Sequence, residues 1–419
     1  MKMLEMINRM IAVLFLICYS YQMFYIPVVF LKKRRGVPQA EKDKSYAFLI
    51  CARNEEAVIA DLIRSILKQD YPQDLLHIFV LADNCTDATA SVAEAAGAKV
   101  YERFNRKEIG KGYALNCLLK NLKRDYPDGF DGYFIFDADN ILKEDYVSRM
   151  NDHLSYGERI VTSYRNSKNF DTNWISAGYG LWFLRESRYI QYARYLLHSS
   201  ASVSGTGFLI SREVMEGMQG WKYHTLTEDI EFSVDQMLRN EKIGMCIEAE
   251  FYDEQPTAFV QSYHQRLRWS KGYLQVFEKY GKELLLMALR GNYTCYDMSM
   301  YIMPAFILSF ASVVCNLLLM LSKIAEGTPL LPALSSFGMT LANAYFLLCT
   351  LGAISTLTEW NHIHASWQKK IFYIFTFPLF MFTYLPISVA ALYSKAEWKP
   401  ICHSVTMEHM QKKWKGALK

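Results

Sequence analysis

The chain has 419 residues, of which 51% are apolar, 15% aromatic and 21% charged, and its mean hydropathy is −0.01. It is too apolar for an ordinary soluble enzyme and too charged to lie wholly in a membrane, so we expect a water-facing domain joined to membrane helices. A net charge of +4 is too small to indicate a nucleic-acid partner, and 21 Gly and 11 Pro exclude a disordered or fibrous chain. Nine Cys without a Cys-x-x-Cys pair are typical of reduced cytosolic thiols, not of disulfides or a zinc site.

The first apolar run extends from about Met10 to Leu31 and is followed directly by Lys32, Lys33, Arg34 and Arg35. Its length is sufficient to cross a bilayer. A signal peptide would carry its charge before the apolar run, so the pattern predicts a retained anchor with a basic flank in residues 1–36. The positive-inside rule then places the following segment in the cytosol.

Short β-rich segments alternate with amphipathic ones in residues 44–262, which predicts a cytosolic α/β catalytic domain. Buried strands are predicted at 46–51, 77–82 and 132–136, with helices at 55–68, 86–96 and 112–123. This order is typical of a Rossmann-like nucleotide-binding sheet, in which ligands bind beyond the carboxyl ends of the strands.

Residues 263–296 begin with a basic, aromatic stretch and continue as an amphipathic run, which predicts interfacial helices at the membrane surface. Membrane helices are predicted in residues 297–394, in three apolar runs at 298–321, 334–356 and 371–393. None of the three runs contains a charged residue, so they indicate a scaffold and not a proton relay.

The basic tail, residues 395–419, gives conflicting indications about its side of the membrane. Its lysines favour the cytosol, whereas three simple crossings would place it outside. Pro378 and Pro386 in the last run predict a broken or re-entrant element in place of one crossing. We therefore expect a cytosolic tail.

Acidic residues follow each of the three predicted strands. Glu55 follows the first, Asp83 ends the second, and Asp137 and Asp139 follow the third. The Asp137/Asp139 pair can hold a divalent cation that also binds a diphosphate, although acidic residues at strand ends are also common as helix caps. Lys111, between two glycines, either meets a phosphate at a helix N-terminus or belongs to a simple turn.

Two later motifs also allow two interpretations. Thr227-Glu228-Asp229 precedes a helical run, so it is either an N-cap with acidic residues in the first turn or a site in which Asp229 is a general base. Gln265-Arg-Leu-Arg268-Trp269 is either a basic interfacial anchor or a group whose guanidinium pairs with a diphosphate.

The order of these motifs, with Ser204-Gly-Thr-Gly207 between them, resembles a membrane-embedded family 2 glycosyltransferase of the cellulose, chitin, hyaluronan or poly-N-acetylglucosamine synthase type. The resemblance covers about residues 44–273. It implies an α/β GT-A catalytic domain joined to an α-helical transmembrane region, a UDP-sugar donor, and Mg²⁺ or Mn²⁺.

The resemblance also implies roles by position. Glu55 and Asp83 would contact the nucleoside, Lys111 a phosphate, and Asp137 and Asp139 the metal. The catalytic residues would be Asp229 as base, Glu228 and Asp139, and the donor diphosphate would also contact Gln265, Arg268 and Trp269. The acceptor would contact Gly205, Thr206, Gly207 and Trp269. The sequence departs from the family pattern at two positions: Arg53 stands where a Tyr is common, and Ala82 where many relatives carry the first Asp of a pair. Both departures concern the nucleoside contacts and not the metal site.

The main interpretation is a metal-dependent, inverting enzyme of the cell membrane that transfers glucose or N-acetylglucosamine to a β-linked polysaccharide. A single carboxylate base is sufficient for direct displacement with inversion. Transfer of one sugar to a lipid or short acceptor remains open, because lipid-glycosylating relatives carry similar residues. A non-catalytic scaffold or transporter is disfavoured by the intact acidic set, and a sugar nucleotidyltransferase would carry a glycine-rich loop where Arg53-Asn-Glu-Glu56 stands.

Overall fold

The computed structural model describes residues 2–33, 36–302, 304–394 and 403–417. Arg34, Arg35 and tail residues 395–402 and 418–419, which contributed to the predicted basic flank and tail, lie outside the described residues.

An eight-stranded mixed sheet forms the centre of the water-facing domain. Its strands are β1 (Tyr46–Ala52), β2 (Leu76–Asp83), β3 (Lys99–Arg103), β4 (Gly132–Asp137), β5 (Ile141–Leu142), β6 (Ile160–Ser167), β7 (Phe208–Ser211) and β8 (Ile243–Asp253), in the spatial order β3-β2-β1-β4-β7-β6-β8-β5. β1 pairs in parallel with β2 and β4, and β2 with β3, whereas β7 is antiparallel to β4 and β6. The three predicted strands are confirmed as β1, β2 and β4, and their carboxyl ends share one edge.

The helices of this domain cover both faces of the sheet. They are α2 (Ile59–Leu67), α3 (Thr89–Ala95), α4 (Lys111–Asp125), α5 (Tyr146–Ser155), α6 (Trp174–Arg185), a π-helical segment (Glu186–Gln191), α7 (Tyr192–Leu196), α8 (Arg212–Gly217) and α9 (Glu228–Leu238). Alternate residues of β1 point to opposite faces, so Phe48 packs with one buried cluster and Leu49 with another.

Helices α2 and α3 begin three to four residues later than the amphipathic pattern predicts. The loops before them are joined, because the Ala88 amide donates to Glu56 at 2.8 Å and the Glu56 amide donates to Asp87 at 3.2 Å. These side-chain bonds compete with helix formation and hold the loop residues at the sheet edge.

The remaining helices are α1 (Lys2–Leu31), α10 (Phe259–Leu289), α11 (Tyr293–Ile302), α12 (Pro304–Ala325), α13 (Leu330–Thr358), α14 (Trp367–Phe382), α15 (Tyr384–Tyr393) and α16 (Met407–Ala417). By length and composition, three segments of the described chain are apolar enough to cross a membrane: Lys2–Leu31, Leu330–Thr358 and Trp367–Tyr393. The apolar helix Phe310–Ala325 is shorter.

The last apolar run is broken at Thr383, between the two prolines that predicted a break. Arg266 of α10 donates to the Phe380 carbonyl at 3.2 Å and to the Thr383 hydroxyl at 2.6 Å, so it binds the chain where α14 ends. In the most apolar 18-residue stretch of this run, 39% of the residues are buried in protein, compared with 11% in the corresponding stretch of α1 and 6% in that of α13. The run therefore packs along α6 and α10 and differs from the two outward-facing helices.

The tail returns to the catalytic domain. The amides of Ser404 and Val405 donate to Glu254 at 3.0 and 2.8 Å, and the Trp414 ring stacks on His364 at 3.6 Å. Residues 403–417 therefore lie on the same side as the catalytic domain, while the number of membrane crossings before them stays a prediction.

A buried ion pair attaches the N-terminal helix to the catalytic domain. Arg194 of α7 donates to Asp297 of α11 at 2.7 and 3.0 Å. The same carboxylate accepts hydrogen bonds from Tyr21 and Tyr25 of α1 at 2.6 and 2.7 Å. These bonds hold α1 beside the π-helical segment and position one wall of the cavity described below.

Candidate active site

One cavity of about 1150 Å³ collects most of the predicted site residues. It lies beyond the carboxyl ends of β1, β2 and β4, where ligands of such sheets bind. The predicted residues that line it are Glu55, Asp83, Lys111, Asp137, Asp139, Gly205, Glu228, Asp229, Gln265, Arg268 and Trp269. Residues more than 200 positions apart in sequence thus face one space.

Lys111, the first residue of α4, joins two sides of this cavity. Its ammonium donates to the Asp137 carboxylate and, at 2.7 Å, to the Gly205 carbonyl. The close approach of Gly112 fixes the start of α4, since a Cβ there would lie 2.0 Å from the Tyr223 carbonyl oxygen. Lys111 is therefore an anchored cation beside the predicted metal ligands.

Asp139 is held by the backbone and lies beside a second acid. Its Oδ2 accepts the Glu254 amide at 2.9 Å. Burial, together with the neighbouring Asp139 carboxylate, raises the pKa of Asp253 to about 6 against the opposing effect of Arg165. Close carboxylates with hard oxygen atoms are the donor set that Mg²⁺ and Mn²⁺ prefer. Asp137 and Asp139 both line the cavity and offer oxygen atoms of this kind, and the Asp137 carboxylate is bound here by the Lys111 ammonium.

The structure separates the three residues predicted to contact the acceptor. Gly205 lines the cavity, but Thr206 and Gly207 do not. The Thr206 hydroxyl accepts the Asp137 amide at 2.9 Å and donates to Asn140, and a Cβ on Gly207 would lie 2.2 Å from the Phe251 ring. Thr206 and Gly207 therefore pack beneath the Asp137–Asn140 loop and hold it in place. The glycine-rich sequence pattern alone could not distinguish this structural role from contact with the acceptor.

Glu228 and Asp229 form an acidic pair at the start of α9, in which Glu228 is buried and Asp229 half-buried. Burial and the Asp229 charge raise the pKa of Glu228 to about 7, and burial raises the pKa of Asp229. Lys111 and Arg268 oppose both shifts. The pair can therefore take up or release a proton near neutral pH, as a general base must.

The Gln265-to-Trp269 motif divides between two faces of α10. Arg266 is buried against α14 and α15, whereas Gln265, Arg268 and Trp269 line the cavity. Arg268 donates to the Leu226 carbonyl at 2.7 Å, and the Trp269 ring lies edge-on to Tyr179 at 5.8 Å. The motif thus contributes one arginine to helix packing and three side chains to the cavity, and the choice between an interfacial anchor and a diphosphate contact stays a prediction.

Three further charged residues of the site were not predicted. Arg103, at the end of β3, donates to Asp83 at 2.7 Å, and Arg165 pairs with Asp253. His403 of the tail lies 3.0 Å from both carboxylate oxygens of Glu55. Burial disfavours a charged imidazole, but Asp139, Glu55 and Glu254 outweigh it and raise the pKa of His403 to about 10.

Different signals could have identified these residues. The position of Arg103 at a strand end was available in the sequence, but β3 is short and its side chains are only partly buried. No sequence pattern connects His403 with Glu55, which lies 348 residues earlier.

The cavity continues from the acidic site into an apolar space between helices. Its apolar part is lined by Ile11, Phe15, Met23, Leu341, Leu348 and Leu385 of α1, α13 and α15. Trp182 and Glu186 also line the cavity, and Arg185 between them in sequence reaches Gln22 of α1 at 3.4 Å. A ligand with a polar head and apolar chains matches this division.

A sequence profile described as "Glycosyltransferase like family 2" matches residues 43–272, more than half of the chain. The chain belongs to this glycosyltransferase family. The predictions of a glycosyltransferase and of a GT-A domain with a helical region are therefore confirmed, and the scaffold, transporter and nucleotidyltransferase alternatives are not supported. The assignment to the cellulose, chitin or hyaluronan synthase type stays a prediction.

Similar glycosyltransferases act on different acceptors. "Beta-monoglucosyldiacylglycerol synthase" of Synechocystis sp. is 24% identical over 331 residues, which cover 77% of this chain and 67% of that protein. "Probable glucomannan 4-beta-mannosyltransferase 11" of Oryza sativa is 25% identical over 239 residues, which cover 55% of this chain and 42% of that protein. The chain spans about two thirds of the length of the first relative and less than half of the second.

A solved structure shows that the fold extends beyond the matched domain. The mannosyltransferase PcManGT from Pyrobaculum calidifontis, in complex with GDP-Man and Mn²⁺, superposes with a TM-score of 0.61 at 15% identity. The superposition covers 93% of this glycosyltransferase and 99% of that chain, so the helical region shares its arrangement.

Proposed function

We propose that this glycosyltransferase transfers one hexose, glucose or N-acetylglucosamine, from a UDP-sugar to the hydroxyl group of a membrane lipid, with inversion at the sugar carbon. The observation that carries this proposal is the single cavity in which the acidic site opens into an apolar space between helices. A sugar donor suits the polar part and an acyl chain suits the apolar part, since few polar groups in the latter would need a partner.

Asp229 is the proposed base. Its carboxylate takes the proton of the acceptor hydroxyl while the hydroxyl oxygen bonds to the sugar C1 and the bond from C1 to the diphosphate breaks. Gly205 borders this carboxylate, since a Cβ at Gly205 would lie 3.6 Å from Asp229 Oδ2, an ordinary contact distance. One base and one displacement give inversion, so an α-linked donor yields a β-linked product.

The leaving UDP carries developing negative charge that must be stabilised. We assign this role to Lys111 and Arg268, two cations that line the cavity and both act on the Glu228 and Asp229 carboxylates. Asp137 and Asp139 would hold Mg²⁺ or Mn²⁺, which when bound supplies further positive charge for the diphosphate. Asp83 and Glu55 are the proposed nucleoside contacts, and Arg103 and His403 orient their carboxylates.

The Synechocystis relative is named a beta-monoglucosyldiacylglycerol synthase, and its product supports a lipid acceptor here. A cytosolic catalytic domain with several membrane helices is part of the proposal. It is supported by Lys32 and Lys33 directly after α1 and by the three apolar segments. Residues 1–36, 44–262, 263–296, 297–394 and 395–419 remain the proposed division of the chain.

A β-linked polysaccharide is the second candidate product. It is favoured by the complete set of Gln265, Arg268 and Trp269, which resembles the motif of processive synthases. The name of the Oryza relative, a probable glucomannan 4-beta-mannosyltransferase, also favours it. In that case Trp269, beside Tyr179 and Phe183, would stack on a sugar ring of the growing chain.

Release of UDP by the purified full chain in lipid vesicles tests the proposal. UDP-glucose, UDP-N-acetylglucosamine, UDP-galactose and UDP-glucuronate are compared, each with and without dioleoylglycerol in the vesicles. We expect one donor to give UDP release that rises with the mole fraction of dioleoylglycerol. Release that is independent of lipid composition and accompanies a growing glycan would overturn the proposal in favour of the second candidate.

A further inference from the structure

The cavity wall next to α1 and α11 carries two charged residues that the proposed chemistry does not use. Arg185 is the last residue of α6 and Glu186 the first of the π-helical segment, and both line the cavity. A π-helical turn inside a longer helix costs stability and is frequently kept at functional sites. Here it places Glu186, Tyr189 and Ile190 in the cavity wall.

Arg185 has no carboxylate within 4.0 Å among the described residues. Its contacts are the Gln22 amide oxygen of α1 at 3.4 Å and the Trp182 ring at 5.5 Å. Burial lowers the pKa of this guanidinium, and the nearby Glu186 charge opposes the shift only in part. A guanidinium in this position has donors available for a ligand, since five N–H groups are served by one long hydrogen bond.

Glu186 is buried and also has no ion-pair partner within 4.0 Å in the part of the chain that the structure describes. Its Oε1 accepts the Tyr301 hydroxyl at 2.8 Å and the Gln191 amide at 3.2 Å. Its Oε2 has no hydrogen-bond partner among these residues. The wall therefore presents a positive and a negative group side by side, each without a counter-ion in contact.

The charge of the whole cavity decides which headgroup fits. Nine carboxylates line it in the described residues, against five guanidinium or ammonium groups and His403. A bound cation and a donor diphosphate roughly offset each other and leave this excess of negative charge. Burying a phosphate beside Glu186 would add a like charge in a region of low dielectric, which is strongly unfavourable.

We infer that Arg185 and Glu186 form the acceptor headgroup subsite, and that it selects an uncharged, hydroxyl-bearing two-chain lipid over an anionic one. The guanidinium donates to ester carbonyl oxygens next to the reacting hydroxyl, and the Glu186 charge repels a phosphate at the same place. This inference rests on the proposed lipid acceptor and adds its chemical class and the residues that choose it.

The test compares two acceptors that both carry a free hydroxyl and the same acyl chains, dioleoylglycerol and dioleoylphosphatidylglycerol, in neutral carrier vesicles. The wild type should prefer dioleoylglycerol. Arg185→Met should raise the apparent KM for dioleoylglycerol by about tenfold or more, the usual effect of losing a charge-assisted hydrogen bond, while KM for the UDP-sugar and UDP release into water stay unchanged. Arg185→Lys should recover part of the loss.

Glu186→Gln should keep the two hydrogen bonds to Oε1 and reduce the preference for dioleoylglycerol by about tenfold. Arg149→Met removes a half-exposed surface guanidinium on α5 and should change none of these values. Two results would overturn the inference and leave the proposed lipid transfer standing. In the first, the acceptor KM is unchanged in Arg185→Met and Arg185→Lys, and the lipid preference is unchanged in Glu186→Gln. In the second, the wild type prefers dioleoylphosphatidylglycerol. A wild type that releases UDP but glycosylates neither lipid overturns both.

Discussion

Gly272 of α10 lies directly against Thr227, the residue before the Glu228–Asp229 pair. A Cβ at position 272 would approach the Thr227 hydroxyl oxygen to 2.5 Å and the Thr227 amide nitrogen to 2.8 Å. The missing side chain lets the helix that carries Arg268 and Trp269 reach the start of the helix that carries the base. This close approach and the Arg268 bond to the Leu226 carbonyl together bring two distant motifs into one site.

Gly272→Ala should therefore impair catalysis more than folding. Separating α10 from α9 by a fraction of an ångström to one ångström should lower kcat/KM by roughly 10- to 100-fold, because misplaced catalytic groups lose alignment. The strain should cost about 1–3 kcal/mol of stability, measured as a lower Tm. Gly281→Ala, in the same helix, is the matched control, because the atoms nearest to its new Cβ would belong to the Phe277 ring of the same helix, at 3.0 Å. Equal activity of both variants would contradict the contact's proposed role.

Asp229→Asn should remove the base and keep the donor site. We expect transfer to fall by roughly 10²- to 10⁴-fold, the range for loss of a general base. UDP binding, measured by isothermal titration, should change little, because the proposed nucleoside contacts lie near the ends of β1 and β2. Transfer near the wild-type rate would show that another group accepts the proton.

The acidic pair also predicts the pH dependence. Transfer needs ionised Asp229, and because burial raises the pKa of Glu228 to about 7, the pair holds a proton below that pH. Activity should fall as the pH decreases through about 7, measured as kcat/KM between pH 5 and 9. Glu228→Gln removes the neighbouring charge and should move the acidic limb to lower pH. An unchanged pH profile in this variant would show that the loss of activity at low pH does not come from the Glu228–Asp229 pair.

Metal removal should reversibly stop transfer. Chelation by EDTA leaves Asp137 and Asp139 without the cation that we assign to them, and added Mg²⁺ or Mn²⁺ should restore activity. Asp139→Asn should raise the metal concentration needed for half-maximal activity by at least tenfold. Full activity after exhaustive dialysis against EDTA would exclude the metal assignment.

The tail should contribute to donor binding through His403. His403→Ala leaves the buried Glu55 carboxylate without its charged partner, so KM for the UDP-sugar should rise by about tenfold. His409→Ala changes an exposed histidine of the same tail and is the control. If the KM for the UDP-sugar were the same in both variants and the wild type, the tail would have only a structural role.

Sequence reasoning identified the elements whose physical signals are local. The runs that became β1, β2 and β4 are apolar and end in acids, and the topology of parallel strands then brings Glu55, Asp83 and Asp137 to one edge. The first apolar run and the break between Pro378 and Pro386 were likewise visible as patterns of composition.

Features that depend on tertiary packing were not visible. Thr206 and Gly207 have the residue types of a binding turn, but their neighbours Asn140 and Phe251 make them supports. Arg266 and Arg268 are two residues apart and chemically identical, and only the packing of α10 sends one to α14 and the other to the cavity. The return of His403 to Glu55 has no local signal.

The mass of the product tests the central claim most directly. The full chain, in vesicles that contain dioleoylglycerol and supplied with its UDP-sugar and Mg²⁺ or Mn²⁺, should yield a lipid whose mass has increased by one hexose or N-acetylhexosamine residue. β-Configuration at the new linkage, read from the anomeric proton coupling, completes the prediction. A water-soluble glycan of many sugar units with unmodified lipid would contradict it.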